Sequence, residues 1–392
     1  MKGEKRNADS ARDTRFMRLA LHLAQHGYGA TSPNPMVGAA LVRSGKVLGR
    51  GWHHRAGEPH AEIEALRDCQ RRRASTAGAT LYVTLEPCST YGRTPPCTQE
   101  IVAAGIARVV VAATDPNPAH AGRGFRILKR AGIEVVHGLL AAESARMNEA
   151  FNHWIVSRTP FVTVKAAMTL DGKIATASGE SKWITGGEAR TRAMYLRRGA
   201  DAILVGINTL LADDPALTVR GPGEAGEAGT ASTTGELARQ PRRVVLDSLA
   251  RTPLTSRVVS DENAHQTIVV ATRAAPKGRL LALEKRVTVI VAPLRQGRPD
   301  LRWVLRRLGA LDVTSVLVEG GGEVGGSFLE QGLAHRVAFF YAPKIIGGRD
   351  ARKAVAGRGA RRWSEVIRLS QVETTMVGRD LLLEARVCPR SK

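Results

Sequence analysis

The chain is short of cysteine and of aromatic residues, and each shortage excludes something. Four cysteines in 392 residues make no disulfide framework, so the fold must rest on its own apolar cores, as suits a reducing cytoplasm. Aromatic residues are 4% of the chain, too few for an obvious base-stacking platform. No apolar run approaches the roughly 20 residues that cross a bilayer. No internal repeat is present, and Met1–Arg15 lacks the apolar centre of a secretory signal. Residues 1–15 are expected to form a short, disordered, solvated tail.

Acidic residues are also in deficit. Lys and Arg number 58 against 36 Asp and Glu, for a net charge of +22. Such a charge invites a nucleic-acid reading. The basic residues, however, are scattered through both halves rather than gathered on one segment. The longest cluster, Arg71-Arg72-Arg73, closes a helix, where cations complement the helix dipole. The charge therefore reads as a general attraction for phosphate-bearing ligands, with no nucleic-acid or membrane partner expected.

What is present is a metal-ligand pattern. His60-Ala61-Glu62 is followed by Pro87-Cys88 and, after eight intervening residues, by Cys97. One imidazole and two thiolates make a three-ligand zinc site, and the fourth position stays open for water, as in catalytic rather than structural zinc. Zinc brings the pKa of such a water to about 7. Glu62, two residues past the histidine, can carry protons without occupying the metal. Hydroxide attack on an amidine-type ring carbon, with a carboxylate passing protons to departing ammonia, is hydrolytic deamination. His-x-Glu with Pro-Cys-x-x-Cys is the zinc nucleobase deaminase signature; here the second cysteine spacing is stretched. A buried cysteine is often only a small hydrophobe, but three ordered signals beside prolines outweigh that reading. Cys69 and Cys388 remain without a metal role.

The length suits two domains. Helical spacing runs over Phe16–His26 and Ala61–Arg73, with a helix from Cys97. Strands are expected at 37–42, 47–52, 80–85 and 109–113, so both halves of the ligand set open helices beside a sheet. After Phe151-Asn152-His153-Trp154 the pattern restarts, which puts a boundary near 147–158 between a domain at 16–150 and another at 158–388. Strand and helix signals then alternate, arguing α/β with a largely parallel sheet. Residues 221–240, rich in Gly, Ala, Thr and Glu, read as a flexible insertion. Glu319-Gly320-Gly321-Gly322-Glu323-Val324-Gly325-Gly326-Ser327 reads as a loop between strand and helix, able to admit a phosphate or merely to make a tight turn. Ala212-Asp213-Asp214-Pro215 sits in a loop at a strand end, where ligands bind in open α/β sheets, or caps a helix.

Taken together, these motifs resemble the bifunctional riboflavin biosynthesis proteins, fused pyrimidine deaminases and reductases, from about Phe16 to the C-terminal strands. The resemblance rests on Ser32-Pro33-Asn34-Pro35-Met36-Val37-Gly38, Gly51-Trp52-His53-His54, Gly57-Glu58-Pro59-His60-Ala61-Glu62 and the long cysteine run. In the second half it rests on Lys165-Ala166-Ala167-Met168-Thr169-Leu170-Asp171-Gly172, Ser181-Lys182-Trp183-Ile184-Thr185-Gly186, the 212–215 loop and Val318-Glu319-Gly320-Gly321. It implies a cytidine-deaminase-like domain followed by a dihydrofolate-reductase-like one, using Zn2+ and NADPH. The implied substrate is 2,5-diamino-6-(5-phosphoribosylamino)pyrimidin-4(3H)-one, deaminated and then reduced from ribosyl to ribityl. By position, His60, Cys88 and Cys97 hold zinc, Glu62 donates protons, and Asn34 and His53 contact base or ribose. Ala167, Trp183, Thr209, Asp213, Ser248 and Gly321, Gly322, Glu323, Val324, Gly325, Gly326 and Ser327 contact NADPH. Ser181, Arg197, Leu217, Arg220 and Glu319 contact the phosphoribosyl substrate, with Arg197 and Arg220 suited to its phosphate. Lys165, Asp213 and Glu319 are the candidates for the chemistry of reduction. A cytoplasmic homo-oligomer is expected. The rival reading is a zinc deaminase acting on tRNA with an unrelated second domain, favoured by the charge but opposed by the cysteine spacing and by every second-half motif. A non-catalytic binding half is opposed by the intact candidate residues on both sides.

Overall fold

The computed structural model describes residues 2–91, 95–220 and 239–389, and of residues 2–9 only the helical backbone. The chain divides into two units, Met1–Arg158 and Thr159–Lys392. Among the described residues no helix is long and apolar enough to cross a membrane.

In the first unit the order is α1 (Lys2–Gln25), β1 (Gly38–Arg43), β2 (Lys46–Trp52), α2 (Ala61–Arg71), β3 (Thr80–Leu85), α3 (Cys97–Ala103) and β4 (Arg108–Ala113). It continues with α4 (Arg123–Arg130), β5 (Glu134–His137), α5 (Ala141–Met147) and α6 (Glu149–Ser157). The sheet runs β2-β1-β3-β4-β5, antiparallel around β1 and parallel from β3 to β5. Its strands alternate faces with period two. Leu41, Leu81, Val83, Val109 and Val111 pack with Ala65 and Leu66 of α2, Ile101 of α3 and Leu128 of α4. Val42, Tyr82, Val110 and Ala112 meet Phe16, Met17 and Ala20 of α1 on the other face. Gly51 matters here, since a Cβ on it would strike the backbone of Ala61 and Ala65. Its absence lets the start of α2, and with it His60, lie against the sheet.

Helix α1 begins well before Phe16, where apolar spacing starts, so the expected tail over residues 1–15 is helical from Lys2. The reason is a buried polar anchor that hydrophobic periodicity cannot reveal. Asp13 accepts bonds from Tyr82 Oη at 2.6 Å and from Arg108 Nη1 and Nη2 at 2.9 and 2.8 Å.

The second unit runs β6 (Phe161–Thr169), β7 (Lys173–Ala175), α7 (Gly187–Arg198), β8 (Ala202–Gly206), α8 (Ile207–Asp213), β9 (Arg242–Leu246), α9 (Arg257–Ser260) and β10 (Thr267–Thr272). Next come α10 (Lys277–Glu284), β11 (Thr288–Ala292), β12 (Leu294–Arg295), β13 (Arg298–Pro299), α11 (Leu301–Gly309), β14 (Ser315–Val318) and α12 (Gly322–Glu330). The last elements are β15 (Arg336–Ala342), β16 (Arg352–Lys353), β17 (Leu369–Val377) and β18 (Asp380–Val387). Nine strands form one sheet, β11-β10-β9-β8-β14-β6-β15-β18-β17. It is parallel from β11 to β15 and antiparallel at β18 and β17. Val162, Val164, Leu204, Val244, Val316 and Val318 bury one face beneath α11 and Phe328 of α12. Ile203, Val205, Val245 and Val269 bury the other beneath Leu210, Val258, Val259 and Leu283. Strands buried on both faces read as continuous apolar runs, which is why the sequence displays them clearly.

Of the expected insertion at 221–240, residues 221–238 lie outside the described residues. Gln240 accepts from Val219 N and donates to Val219 O, each at 2.9 Å, so the two ends of the insertion lie side by side.

Candidate active sites

In the first unit the site is built where β3 and α2 deliver their ends. His60 caps α2 in extended conformation, and Cys97 is the first residue of α3. Cys88 lies just past β3, its Sγ accepting from Cys97 N at 3.2 Å. His60 Nδ1 stands 3.3 Å from Cys97 Sγ and 3.5 Å from Cys88 Sγ. All three ligand atoms lie within 4.8 Å of one another. That spacing and the N,S,S donor set fit zinc. Cys69 is buried against Ala74 O instead and takes no part.

The electrostatics are those of a metal-ligand set carrying protons. The hydrogen bond with Cys88 raises the His60 pKa to about 9. Bonds from Cys97 and His60 lower that of Cys88, and the same bond to Cys88, with burial, raises that of Cys97. Metal binding therefore has to displace protons. Glu62 is 3% exposed; burial raises its pKa against the pull of His60, and its carboxyl hydrogen-bonds Cys97. His53 is buried and fixed on both ring nitrogens, Nδ1 to Pro59 O and Nε2 to Asn34 Nδ2, each at 3.1 Å. Burial lowers its pKa, the Pro59 carbonyl opposing. Asn34, His53, His60, Glu62, Cys88 and Cys97 thus form one contiguous group.

In the second unit the candidates gather at the C-terminal edge of the sheet. Arg197 closes α7 and turns its fork onto Glu319, which follows β14. Nε donates to Oε1 and Oε2 at 3.1 Å and Nη2 to Oε2 at 2.6 Å, while Nη1 reaches Thr218 O at 3.1 Å. Arg197, expected to face a phosphate, is spent on this carboxylate, because a carboxylate whose side chain is only 6% exposed needs a paired cation. Burial pushes Glu319 upward, but Arg197 and Lys165 outweigh it and the pKa falls. Lys165 on β6 has its pKa lowered by burial and by Arg197, with Glu319 opposing.

Two segments with loop readings are partly helical. Residues 207–213 form α8 and Asp214 caps its C-terminus in left-handed conformation at φ 38°, so of the two readings of the Asp213-Asp214 segment the helix cap is the one seen. Asp213 is exposed at that end, and Leu217 is buried beyond it. The glycine-rich segment is a loop only through Gly321, and α12 starts at Gly322. A Cβ on Gly322 or Gly326 would strike the backbone of Lys353 or Ala356, so these glycines serve close packing. Gly321 N donates to Thr209 Oγ1 at 3.1 Å, and Val324 N and Gly325 N donate to Gly321 O at 3.1 and 3.2 Å, so the amides left at the start of α12 are those of Gly322 and Glu323. That donor set fits the phosphates of a dinucleotide. Glu323 and Ser327 face Arg298. Trp183 is 68% exposed and stacks under Arg190 at 4.7 Å. Ala167 lies on β6 opposite Phe340. Ser181, Asp213, Ser248 and Arg220 are not hydrogen-bonded to the Arg197–Glu319 pair.

Comparison with known proteins follows this division. Residues 10–113 match the cytidine and deoxycytidylate deaminase zinc-binding region, and residues 160–383 match the RibD C-terminal domain. The riboflavin biosynthesis protein RibD of Actinobacillus pleuropneumoniae is 41% identical over 376 residues, covering 95% of this chain and 94% of that protein. The chain belongs to the RibD family. RibD of Escherichia coli is 40% identical, over 95% of this chain and 98% of that protein. The structure of Acinetobacter baumannii RibD superposes with a TM-score of 0.85 at 35% identity, covering 97% of this chain and 99% of that one. That of the deaminase/reductase of Thermotoga maritima gives 0.81 at 34%, over 97% and 100%. The two units are accordingly the deaminase and reductase domains of a RibD protein.

Sequence reasoning missed the residues that hold these RibD sites in shape. Glu86, 6% exposed, accepts from Asp115, Gly122 and Gly124 amides at 3.2, 2.9 and 2.8 Å, folding residues 115–124 beside Cys88. Its place between a buried strand and Pro87-Cys88 was the available signal. Asn148 pairs with both backbone groups of Met36 at 2.8 Å. Lys344 donates to Trp183 O and Ile184 O at 2.9 and 2.8 Å. Nothing in the sequence marks these last two.

Proposed function

We propose that the first unit deaminates 2,5-diamino-6-(5-phosphoribosylamino)pyrimidin-4(3H)-one and the second reduces the ribosyl group of the product to ribityl. As a RibD protein the chain is a bifunctional riboflavin biosynthesis enzyme, a deaminase and an NADPH-dependent reductase with zinc and NADPH as cofactors. The observation that carries the residue assignments is the convergence of His60, Cys88 and Cys97 within 4.8 Å beside buried Glu62.

His60, Cys88 and Cys97 hold the zinc. Zinc supplies a Lewis acid that makes hydroxide available near neutral pH. Glu62 takes a proton from the attacking water and delivers it to the amino group that leaves as ammonia; buried and hydrogen-bonded to Cys97, it is held beside the ligand set. Asn34 and His53 orient the base, their mutual hydrogen bond fixing both side chains.

NADPH supplies the hydride of the second reaction. The residues that meet it are Ala167, Trp183, Thr209, Asp213, Ser248 and Gly321–Ser327, the first turn of α12 facing the diphosphate. Lys165, with a pKa lowered by burial, donates the proton that opening of the ribosyl ring requires. Glu319 opposes that lowering and is itself oriented by Arg197. Exposed Arg220 meets the substrate phosphate, with Ser181 and Leu217 along the same substrate. The nine-residue edge strand β17 is exposed along nearly its whole length, and an open edge of that kind supports assembly with a second copy.

The test is Glu62→Gln. Deamination is expected to fall at least about 100-fold while zinc content is unchanged and reduction of the already deaminated intermediate persists. Zinc lost along with the carboxylate, or activity retained, would contradict the assignment.

A further inference from the structure

The connection 176–186 between β7 and α7 carries two residues assigned above to the reductase site, Ser181 for substrate and Trp183 for NADPH. None of its residues is buried. The Trp183 ring in particular is 68% exposed and stacks on the Arg190 guanidinium, 4.7 Å from the ring centre. A ring turned to solvent binds well when its backbone is already held in place, since a loop that must be ordered on binding gives up affinity.

Hydrogen bonds show what holds it. At the start of the connection Thr176 N donates to Glu180 O at 2.9 Å, and Glu180 N to Thr176 Oγ1 at 3.1 Å. At its end Gly186 N donates to Asp380 Oδ2 at 2.7 Å, and Asp380 is buried at the start of β18. Between them the backbone at Trp183 and Ile184 is held by one side chain from far along the chain. Lys344 Nζ donates to Trp183 O at 2.9 Å and to Ile184 O at 2.8 Å. The donor is ionised, which makes both bonds stronger than neutral ones.

Lys344 stands on a fixed base. It follows the end of β15, where Ala342 pairs with Thr169 at the end of β6. Past those strand ends Leu170 N donates to Lys344 O at 2.9 Å, and the Asp171 carboxylate accepts from Ile346 N and Gly347 N at 3.2 and 2.8 Å. Thr169 Oγ1 donates to the same carboxylate at 2.6 Å and fixes it in turn. The sheet edge thus fixes Lys344, and Lys344 fixes the loop.

We infer that Lys344 is a positioning residue of the reduction, holding the backbone at 183–184 so that Ser181 and Trp183 are presented together to substrate and cofactor. It acts through that loop and touches neither ligand. The inference rests on the reductase reading of the second unit and on Trp183 meeting NADPH.

The test uses the full-length protein with NADPH and the deaminated intermediate, in the variants Lys344→Met, Lys344→Arg and Trp183→Phe. Lys344→Met is expected to raise KM for both NADPH and the intermediate about 10-fold, the low end of what hydrogen bonds from a charged donor supply, with kcat little changed. Quenching of tryptophan emission by NADPH should shrink toward the level left in Trp183→Phe, because reduced nicotinamide takes up emission from a nearby indole. Ammonia release from the first substrate and the unfolding temperature should hold. Lys344→Arg, which still offers donors to both carbonyls, should restore both KM values. Should methionine unfold the domain, Lys344→Gln carries the same expectation. Wild-type KM values and quenching in Lys344→Met overturn the inference. A rise in one KM alone also overturns it, since that makes Lys344 a direct contact of one ligand, and so does an arginine variant as impaired as the methionine one. Trp183→Phe with unchanged NADPH KM and quenching removes the Trp183 reading, and wild-type protein that binds no NADPH removes the reductase reading itself.

Discussion

At the residue scale, the two sites are organised by different kinds of partnership. The deaminase ligands are close together because His60 and Cys97 open helices, where first-turn N–H groups and the dipole favour negatively charged sulfur. Cys88 makes this concrete, accepting the Cys97 amide. Cys88→Ser and Cys97→Ser should each lower zinc content and deaminase activity, a hydroxyl being a poor substitute for thiolate. Cys69→Ser and Cys388→Ser should do neither. Metal analysis beside the deaminase assay checks this, and equal losses from all four would argue for a structural role instead. In the reductase unit, charge pairing organises the residues. Arg197 and Glu319 are paired with each other at 2.6 Å, and phosphate recognition is proposed for Arg220. Arg220→Ala should mainly raise KM for the phosphorylated substrate, as loss of binding shared by ground and transition states does. A fall in kcat at unchanged KM would place Arg220 in the chemistry.

At the element scale, hydrophobic pattern revealed β1 to β4, the helices beside them and the strand–helix alternation of the second half, since strands buried on both faces, such as β8 and β14, are short apolar runs. It failed where polar contacts decide. The segment before Phe16 has no apolar spacing, and its helix is anchored through Asp13. The Asp213–Asp214 and glycine-rich segments look like loops because glycine and aspartate disfavour helix. Packing overrides that preference: Gly322 and Gly326 let α12 press against 353–356, a contact between positions remote in sequence. The same remoteness hid Asn148 and Lys344, whereas the metal ligands, spaced within one motif, were legible from residue type alone. The Asp13 anchor has a pH signature. Burial raises its carboxyl pKa, but the bonds from Arg108 and Tyr82 outweigh this and leave it below the ordinary value. A depressed folded pKa stabilises above the unfolded value of about 4 and ceases to do so as pH falls through the lower folded one. Asp13→Asn should therefore lower the unfolding temperature at pH 7 by a few degrees, and the gap from wild type should narrow below pH of about 4. A gap that stays constant with pH would mean that the carboxylate charge is not what anchors α1.

At the scale of the whole molecule, each unit has its own sheet, its own cores and its own candidate site. A fragment beginning at Thr159 is expected to fold, bind NADPH and reduce the deaminated intermediate without zinc; a folded fragment that binds no nicotinamide cofactor would contradict this. The excess of basic residues suits a chain whose substrates and reductant all carry phosphate. The central claim is that one chain carries two consecutive reactions with separate cofactors. Its most direct measurement follows ammonia release and NADPH oxidation by the purified protein, supplied with the diaminopyrimidine phosphate, before and after zinc is removed by a chelator. With zinc, ammonia should appear and NADPH oxidation should follow it. Without zinc both should stop, and adding the deaminated intermediate should restore NADPH oxidation alone. Ammonia release that persists without metal, or NADPH oxidation that the intermediate does not restore, would contradict the account.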